Sequence, residues 1–135
     1  MIKGRFVLID AFALIHRAFH ALPSLTNKDG VQLNAVYGFT SALLNAIKEL
    51  EPEYLAVGID LPKPTLRKKE YAEYKIHRPP APEELKSQIP YVYEVLSVFN
   101  IPVIGMEGYE GEDVIASLIS KCKSQNSKSE YIVVT

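Results

Sequence analysis

The residues of this chain best suited to chemistry are carboxylates at three separated points. Asp10 closes the apolar run Arg5-Phe6-Val7-Leu8-Ile9, and Asp60 closes Tyr54-Leu55-Ala56-Val57-Gly58-Ile59. A third group, Glu107-Gly108-Tyr109-Glu110-Gly111-Glu112-Asp113, follows the short run Pro102-Val103-Ile104. Acids gathered in one crevice repel one another, so they must take up protons or share a cation. An all-oxygen donor set with no His or Cys cluster favours Mg2+, with Mn2+ as a substitute. Such an ion activates water and offsets charge on a phosphodiester as it is cleaved, and two ions can hold the attacking and leaving oxygens together. Glu110 and Asp113 are three residues apart and can converge on one helical face, with Glu112 approaching through the irregular first turn. Acids at a helix start also cap amides and suit the helix dipole. That accounts for one or two of them, but not for Asp10 and Asp60 at the same edge.

The elements that must position these acids follow from periodicity. Unbroken β-branched and aromatic runs ending in a carboxylate read as buried parallel strands, whose carboxyl ends are where open α/β sheets hold ligands. A helix is predicted over Leu14 to Leu22, with Leu14, Ala18 and Leu22 on one apolar line, Ile15 and Phe19 on the next, and Pro23 as its stop. His16 and Arg17 fall on its other side, where Arg17 could reach the sheet edge. Asn34 is the expected N-cap of a second helix, Ala35 to Leu50, buried through Val36, Phe39, Leu43, Ile47 and Leu50 with Tyr37 and Leu44 adding width. A helix from Glu83 to Phe99 carries Pro90, which must kink or split it. A last helix, Glu112 to Gln125, precedes a strand at Tyr131-Ile132-Val133-Val134. Strands alternating with helices through short linkers give an α/β domain: a mostly parallel central sheet flanked by helices.

Between Leu61 and Pro82 the composition changes. Lys63, Arg67, Lys68, Lys69, Lys75 and Arg78 face only Glu70 and Glu73, a local charge of +4 in a chain of net charge -1. Tyr71, Tyr74 and His77 are interleaved with these cations, as on a surface that neutralises phosphates and stacks unpaired bases. A solvated, proline-rich loop around a short amphipathic helix is the plainer alternative.

Several classes are excluded or weakened. The 135 residues are 47% apolar, enough for one domain with a core. No apolar run approaches the ~18 residues of a membrane span, and no secretory signal precedes the first strand. Cys122 stands alone, so there is no intrachain disulfide, and a cytoplasmic monomer is expected. No Gly-rich dinucleotide or P-loop fingerprint follows the strands. Acids plus a basic, aromatic rim point to metal-dependent phosphodiester hydrolysis of nucleic acid. Two alternatives stand beside it: a fold that binds nucleic acid without cleaving it, and a phosphotransferase using Asp10 as nucleophile, although Phe12 occupies the place where a helping acid belongs. The final strand ends one residue before the chain does, so the span reads as part of a longer protein.

Taken together, Val7-Leu8-Ile9-Asp10, Arg17-Ala18-Phe19-His20-Ala21-Leu22, Asn34-Ala35-Val36-Tyr37-Gly38-Phe39, Tyr71-Ala72-Glu73-Tyr74-Lys75 with Arg78, and Gly108 to Ala116 resemble a known family. It is the 5′-3′ exonuclease domain of bacterial DNA polymerase I, its N-terminal part, within the flap endonucleases of PIN-like, resolvase-like fold. The resemblance implies direct or water-mediated metal contacts from Asp10, Asp60, Glu110, Glu112 and Asp113. It implies a basic helical arch after the second strand, from which Lys75 and Arg78 face the scissile phosphate. Arg17 would assist phosphate handling, Arg67, Lys68 and Lys69 would support it as cations, and Tyr74 would contact substrate. The implied partners are DNA with a 5′ end or flap, including RNA-primed ends, and an attached polymerase in the parent. The chain departs from the pattern in Ala11-Phe12-Ala13 in place of Gly and hydroxyl residues, in Glu112 for Asp, and in Gly58-Ile59 for Ala-Phe. Two further metal-binding Asp residues and a helix-hairpin-helix module of the family would lie past residue 135, which predicts weak activity for this span alone.

Overall fold

A computed structural model describes residues 4–61, 81–125 and 128–135. Its elements are β1 (Arg5–Asp10), α1 (Ala11–Ala21), α2 (Asn34–Leu50), β2 (Tyr54–Gly58), α3 (Glu83–Lys86), α4 (Ile89–Val98), β3 (Val103–Ile104), α5 (Gly111–Gln125) and β4 (Glu130–Val134). All strand pairs are parallel, in the order β3-β2-β1-β4. The chain therefore moves outward from β1 in one direction to β2 and β3, then returns to the other side of β1 for β4. This reversal makes β1 a topological switch point, with its crevice at the carboxyl ends of β1 and β4.

The pleat divides β1 between two layers. Val7 and Ile9 join Val57 in a core with Leu14 and Ile15 of α1, Phe39 and Leu43 of α2, and Val92 and Leu96 of α4. Leu8 and Asp10 alternate with them, and their register partners are Ala56 and Gly58. Gly58 lies against α5, because a Cβ there would come within 2.8 Å of Ile115 Cγ1 and 2.9 Å of the Gly111 carbonyl oxygen. The missing side chain of Gly58 lets the start of α5 settle on the end of β2. At the opposite end of the sheet, Phe6 stacks between Tyr54 and Tyr131, with ring centroids 4.4 and 5.0 Å away.

Several element boundaries differ from the sequence expectation for identifiable reasons. The first helix begins at Ala11, directly after β1, because Asp10 is its N-cap and accepts a hydrogen bond from the Ala13 amide at 3.5 Å. The second begins at Asn34 rather than being capped by it; Leu33 holds the cap position without a side-chain bond. Tyr37 and Leu44, expected to widen the buried stripe of α2, are 61% and 45% exposed. The expected helix over 83–99 is split at Ser87-Gln88 into α3 and α4, and Pro90 falls in the first turn of α4, where a missing N–H is tolerated. Phe99, expected in its buried line, lies past the helix end and is 46% exposed. Among the described residues no helix is long and apolar enough to cross a membrane.

Candidate active site

Each acid of the first two groups is delivered by the end of a strand. Asp10 terminates β1 and is half-buried, its Oδ1 engaged with the first turn of α1 and its Oδ2 accepting from Thr135 Oγ1 at 3.4 Å. Asp60 sits two residues past β2, where backbone pairing continues as the Ile59 amide donates to the Ile104 carbonyl at 2.9 Å. Its Oδ1 accepts a short hydrogen bond from the Gly111 amide, the opening residue of α5. A first-turn amide has no intrahelical acceptor, so a carboxylate is a natural partner for it. Gly111 is suited to this approach, since a Cβ there would lie 3.2 Å from both Asp60 Oδ1 and the Gly58 carbonyl oxygen.

The third group forms the helix start itself. The Glu110 amide donates to Asp113 Oδ2 at 3.1 Å, a reciprocal cap that holds the turn. Glu110 is buried at 6% exposure, and Glu112 is exposed. Asp10 and Glu112 line one cleft of about 270 Å3 together with Ile115, Ile119, Val133 and Thr135. The cleft lies at the β1–β4 switch point. Arg17 reaches the same rim, donating from Nη2 to the Thr135 carbonyl at 2.7 Å.

The fold thus puts Asp10 and Glu112 in the lining of one cleft, and Asp60 against the start of α5, which carries Glu112 and Asp113 and directly follows Glu110. Among the described residues, however, no group of three or more His, Cys, Asp or Glu side chains is gathered closely enough to hold one ion. The donor chemistry suits a hard divalent cation, and two of the donors line the same cleft. Lys75, Arg78, Arg67, Lys68, Lys69 and Tyr74 lie outside the described residues, as does most of the basic segment that contains them.

One neighbour escaped the sequence reading. Burial, and secondarily the negative charge of Asp60, push the Tyr93 phenol above its ordinary pKa. Tyr93 belongs to α4, so only the fold brings it near the end of β2; in sequence it reads as another half-buried aromatic on an amphipathic helix.

A parallel sheet with acids at its switch point defines a resolvase-like nuclease core. Residues 5–135 match the family described as the 5′-3′ exonuclease N-terminal resolvase-like domain, and the chain belongs to that family. It is 43% identical over 131 residues to the DNA polymerase I of Caldicellulosiruptor bescii, which aligns with 97% of this chain and 15% of that protein. It is likewise 43% identical over 121 residues to the 5′-3′ exonuclease of Aquifex aeolicus, covering 90% of this chain and 42% of the relative. The chain thus spans less than half the length of either relative. The fold is shared with the T5 D15 protein co-crystallised with metal ions, at a TM-score of 0.62 and 20% identity over 90% of this chain and 45% of that one.

Proposed function

We propose that this domain hydrolyses phosphodiester bonds at the 5′ ends and 5′ flaps of DNA, including RNA-primed ends, with Mg2+ or Mn2+ as cofactor. The observation that carries the reading is the cleft at the switch point, which Asp10 and Glu112 both line while Asp60 anchors the helix that supplies Glu112. Asp10, Asp60, Glu110, Glu112 and Asp113 would hold the cation, directly or through water. A bound divalent ion supplies activation of water and relief of charge on the scissile phosphate. Asp10 is restrained by the Ala13 amide and the Thr135 hydroxyl, so its carboxylate is oriented before substrate arrives. Arg17, fixed to the Thr135 carbonyl at the rim, stands where a phosphate oxygen would be drawn in. Lys75 and Arg78 are assigned to the scissile phosphate, and Arg67, Lys68, Lys69 and Tyr74 to the approaching strand. Family relatives carry this domain as one part of longer proteins, so the 135 residues alone are expected to cleave weakly, and a polymerase is a candidate neighbour in the parent.

The deciding experiment is cleavage of a 5′-labelled flap DNA in Mg2+, Mn2+ and EDTA, by this span and by the longer parent. Product that forms in either metal and vanishes in EDTA supports the reading; product that persists in EDTA ends it. That no three carboxylates gather among the described residues favours one other reading, a domain that binds flap DNA without cutting it. Retained flap binding with no product in any metal, in the longer parent, would select that reading.

A further inference from the structure

We propose that Gln88 and Asn34 form a buried clamp that positions α1, and with it Asp10 and Arg17, for the reaction proposed above. The inference rests on that reading of the site.

Gln88 is fully buried in the break between α3 and α4, where a nonpolar residue would ordinarily serve. Each of its side-chain atoms is used. Oε1 accepts from the Ala35 and Val36 amides at 2.8 and 3.2 Å, satisfying first-turn donors of α2 that Leu33 cannot cap. Nε2 donates to Asn34 Oδ1 and to the Glu84 carbonyl, both at 2.9 Å. Asn34 then passes the connection on: its Nδ2 donates to the Phe19 and Leu22 carbonyls at 3.1 and 3.2 Å. The Phe19 carbonyl would find its usual helical donor on residue 23, but Pro23 has no N–H. Asn34 supplies the donor that proline withholds.

The clamp thus ties together the end of α1, the start of α2 and the segment just after α3. Its effect reaches the active site because α1 is a single short rod, about 16 Å long at ordinary helical rise. Asp10 caps one end of that rod, and Arg17 projects from its middle to Thr135. Close packing on α2 leaves little slack: a Cβ on Gly38 would come within 2.5 Å of Ala18 Cβ. A tilt of α1 permitted by loss of the clamp would therefore re-aim the carboxylate and the guanidinium together. Misplacement of reacting groups by about 1 Å can cost roughly a hundredfold in rate.

Two variants test this in the longer parent enzyme. Gln88→Leu removes the ties to α2 and to the Glu84 carbonyl and leaves Asn34 without its buried partner, while Asn34→Ser removes the arm to α1 together with the Gln88 contact, which keeps the test alive where Gln88→Leu does not fold. Val92→Ala, a core change on α4 outside the network, is the control for general loss of stability. Single-turnover cleavage of a 5′-flap DNA in Mg2+ is measured below each variant's melting transition, alongside flap affinity and amide hydrogen exchange. Both clamp variants are expected to cleave about tenfold slower while flap affinity changes less than about threefold, and α1 amides to exchange faster than in Val92→Ala at matched stability. Equal rate losses for Val92→Ala and the clamp variants, or unaltered exchange in α1, would overturn the proposal and leave the network as ordinary core. Absence of flap cleavage by the unaltered parent would instead defeat the proposed function, and the exchange comparison would still decide whether the clamp holds α1.

Discussion

The two ends of β1 are built from the same strand and answer opposite demands. At the amino end, Arg5 forms a salt bridge with Glu130 at 2.8 Å and also donates to the Leu50 carbonyl, beside the Phe6, Tyr54 and Tyr131 stack. Opposite charges and matched aromatic faces pair with one another there. At the carboxyl end, Asp10 and Asp60 are instead steadied by amides and a hydroxyl: Ala13, Gly111 and Thr135. Backbone donors orient a carboxylate without cancelling its charge, which suits a group that must meet a cation. At one end of the sheet the charged and aromatic side chains pair with one another, and at the other the carboxylates rest on amides and a hydroxyl.

The comparison is broken most severely at Asp10. Asp10→Ala is expected to lower metal-dependent flap cleavage by roughly a hundredfold or more, the scale of losing a key electrostatic group. Its stability cost should be only about 1 kcal/mol, that of a lost helix cap. Rate assays paired with urea unfolding separate the two; equal collapse of folding and activity would make Asp10 a structural residue.

Gly58→Val tests whether the start of α5 must rest on β2. The added side chain meets Ile115 and the Gly111 carbonyl within 2.9 Å, so a loss of about 1–3 kcal/mol in denaturant unfolding is expected. Cleavage should fall with it, as Asp60 and Glu112 lose their common support.

A pH experiment sharpens the same region. Because the folded-state pKa of Tyr93 is raised by burial and then by Asp60, its contribution to stability is complete below the unfolded value, about pH 10, and is lost as pH rises from there through the folded pKa. Tyr93→Phe should flatten part of the alkaline decline in melting temperature, and Asp60→Asn should reduce it by a smaller amount. An unchanged alkaline limb in Tyr93→Phe would remove that linkage.

The smallest effect is expected at the amino end. The Arg5 and Glu130 side chains are 38% and 58% exposed, so Glu130→Ala should cost less than about 1 kcal/mol, with the difference shrinking in high salt. Flap cleavage should be unaltered, since this edge lies away from the cleft.

The alternation of apolar runs and amphipathic segments was sufficient to order the strands and helices along the chain. The acids near the ends of β1, β2 and β3 stood out because each follows an apolar run, but their bonds to helix-start amides could not be read there. Helix starts were harder. Asp10 is both a candidate ligand and a cap, and a sequence window around Leu14 sees the apolar stripe but not the carboxylate that lets the helix begin at Ala11. Asn34 looked like a cap because that is the commonest use of Asn before a helix, and its Oδ1 does accept from the Ala35 amide at 2.9 Å, though from inside the helix. Its actual acceptors, on Phe19 and Leu22, are set by the packing of α1 on α2 and by the missing amide of Pro23.

The linear order of residues alone determined which side chains could serve a cation and a phosphate, since carboxylates, guanidiniums and their strand-end positions are local properties. Tertiary structure decided which of them meet. Asp10 and Glu112 line one cleft, Asp60 binds Gly111 and Gln88 caps a helix 53 residues away because parallel crossovers bring distant segments together. Hydrogen bonds and charges act over a few ångströms, so their partners are fixed by how the layers pack and not by how far apart the residues stand along the chain.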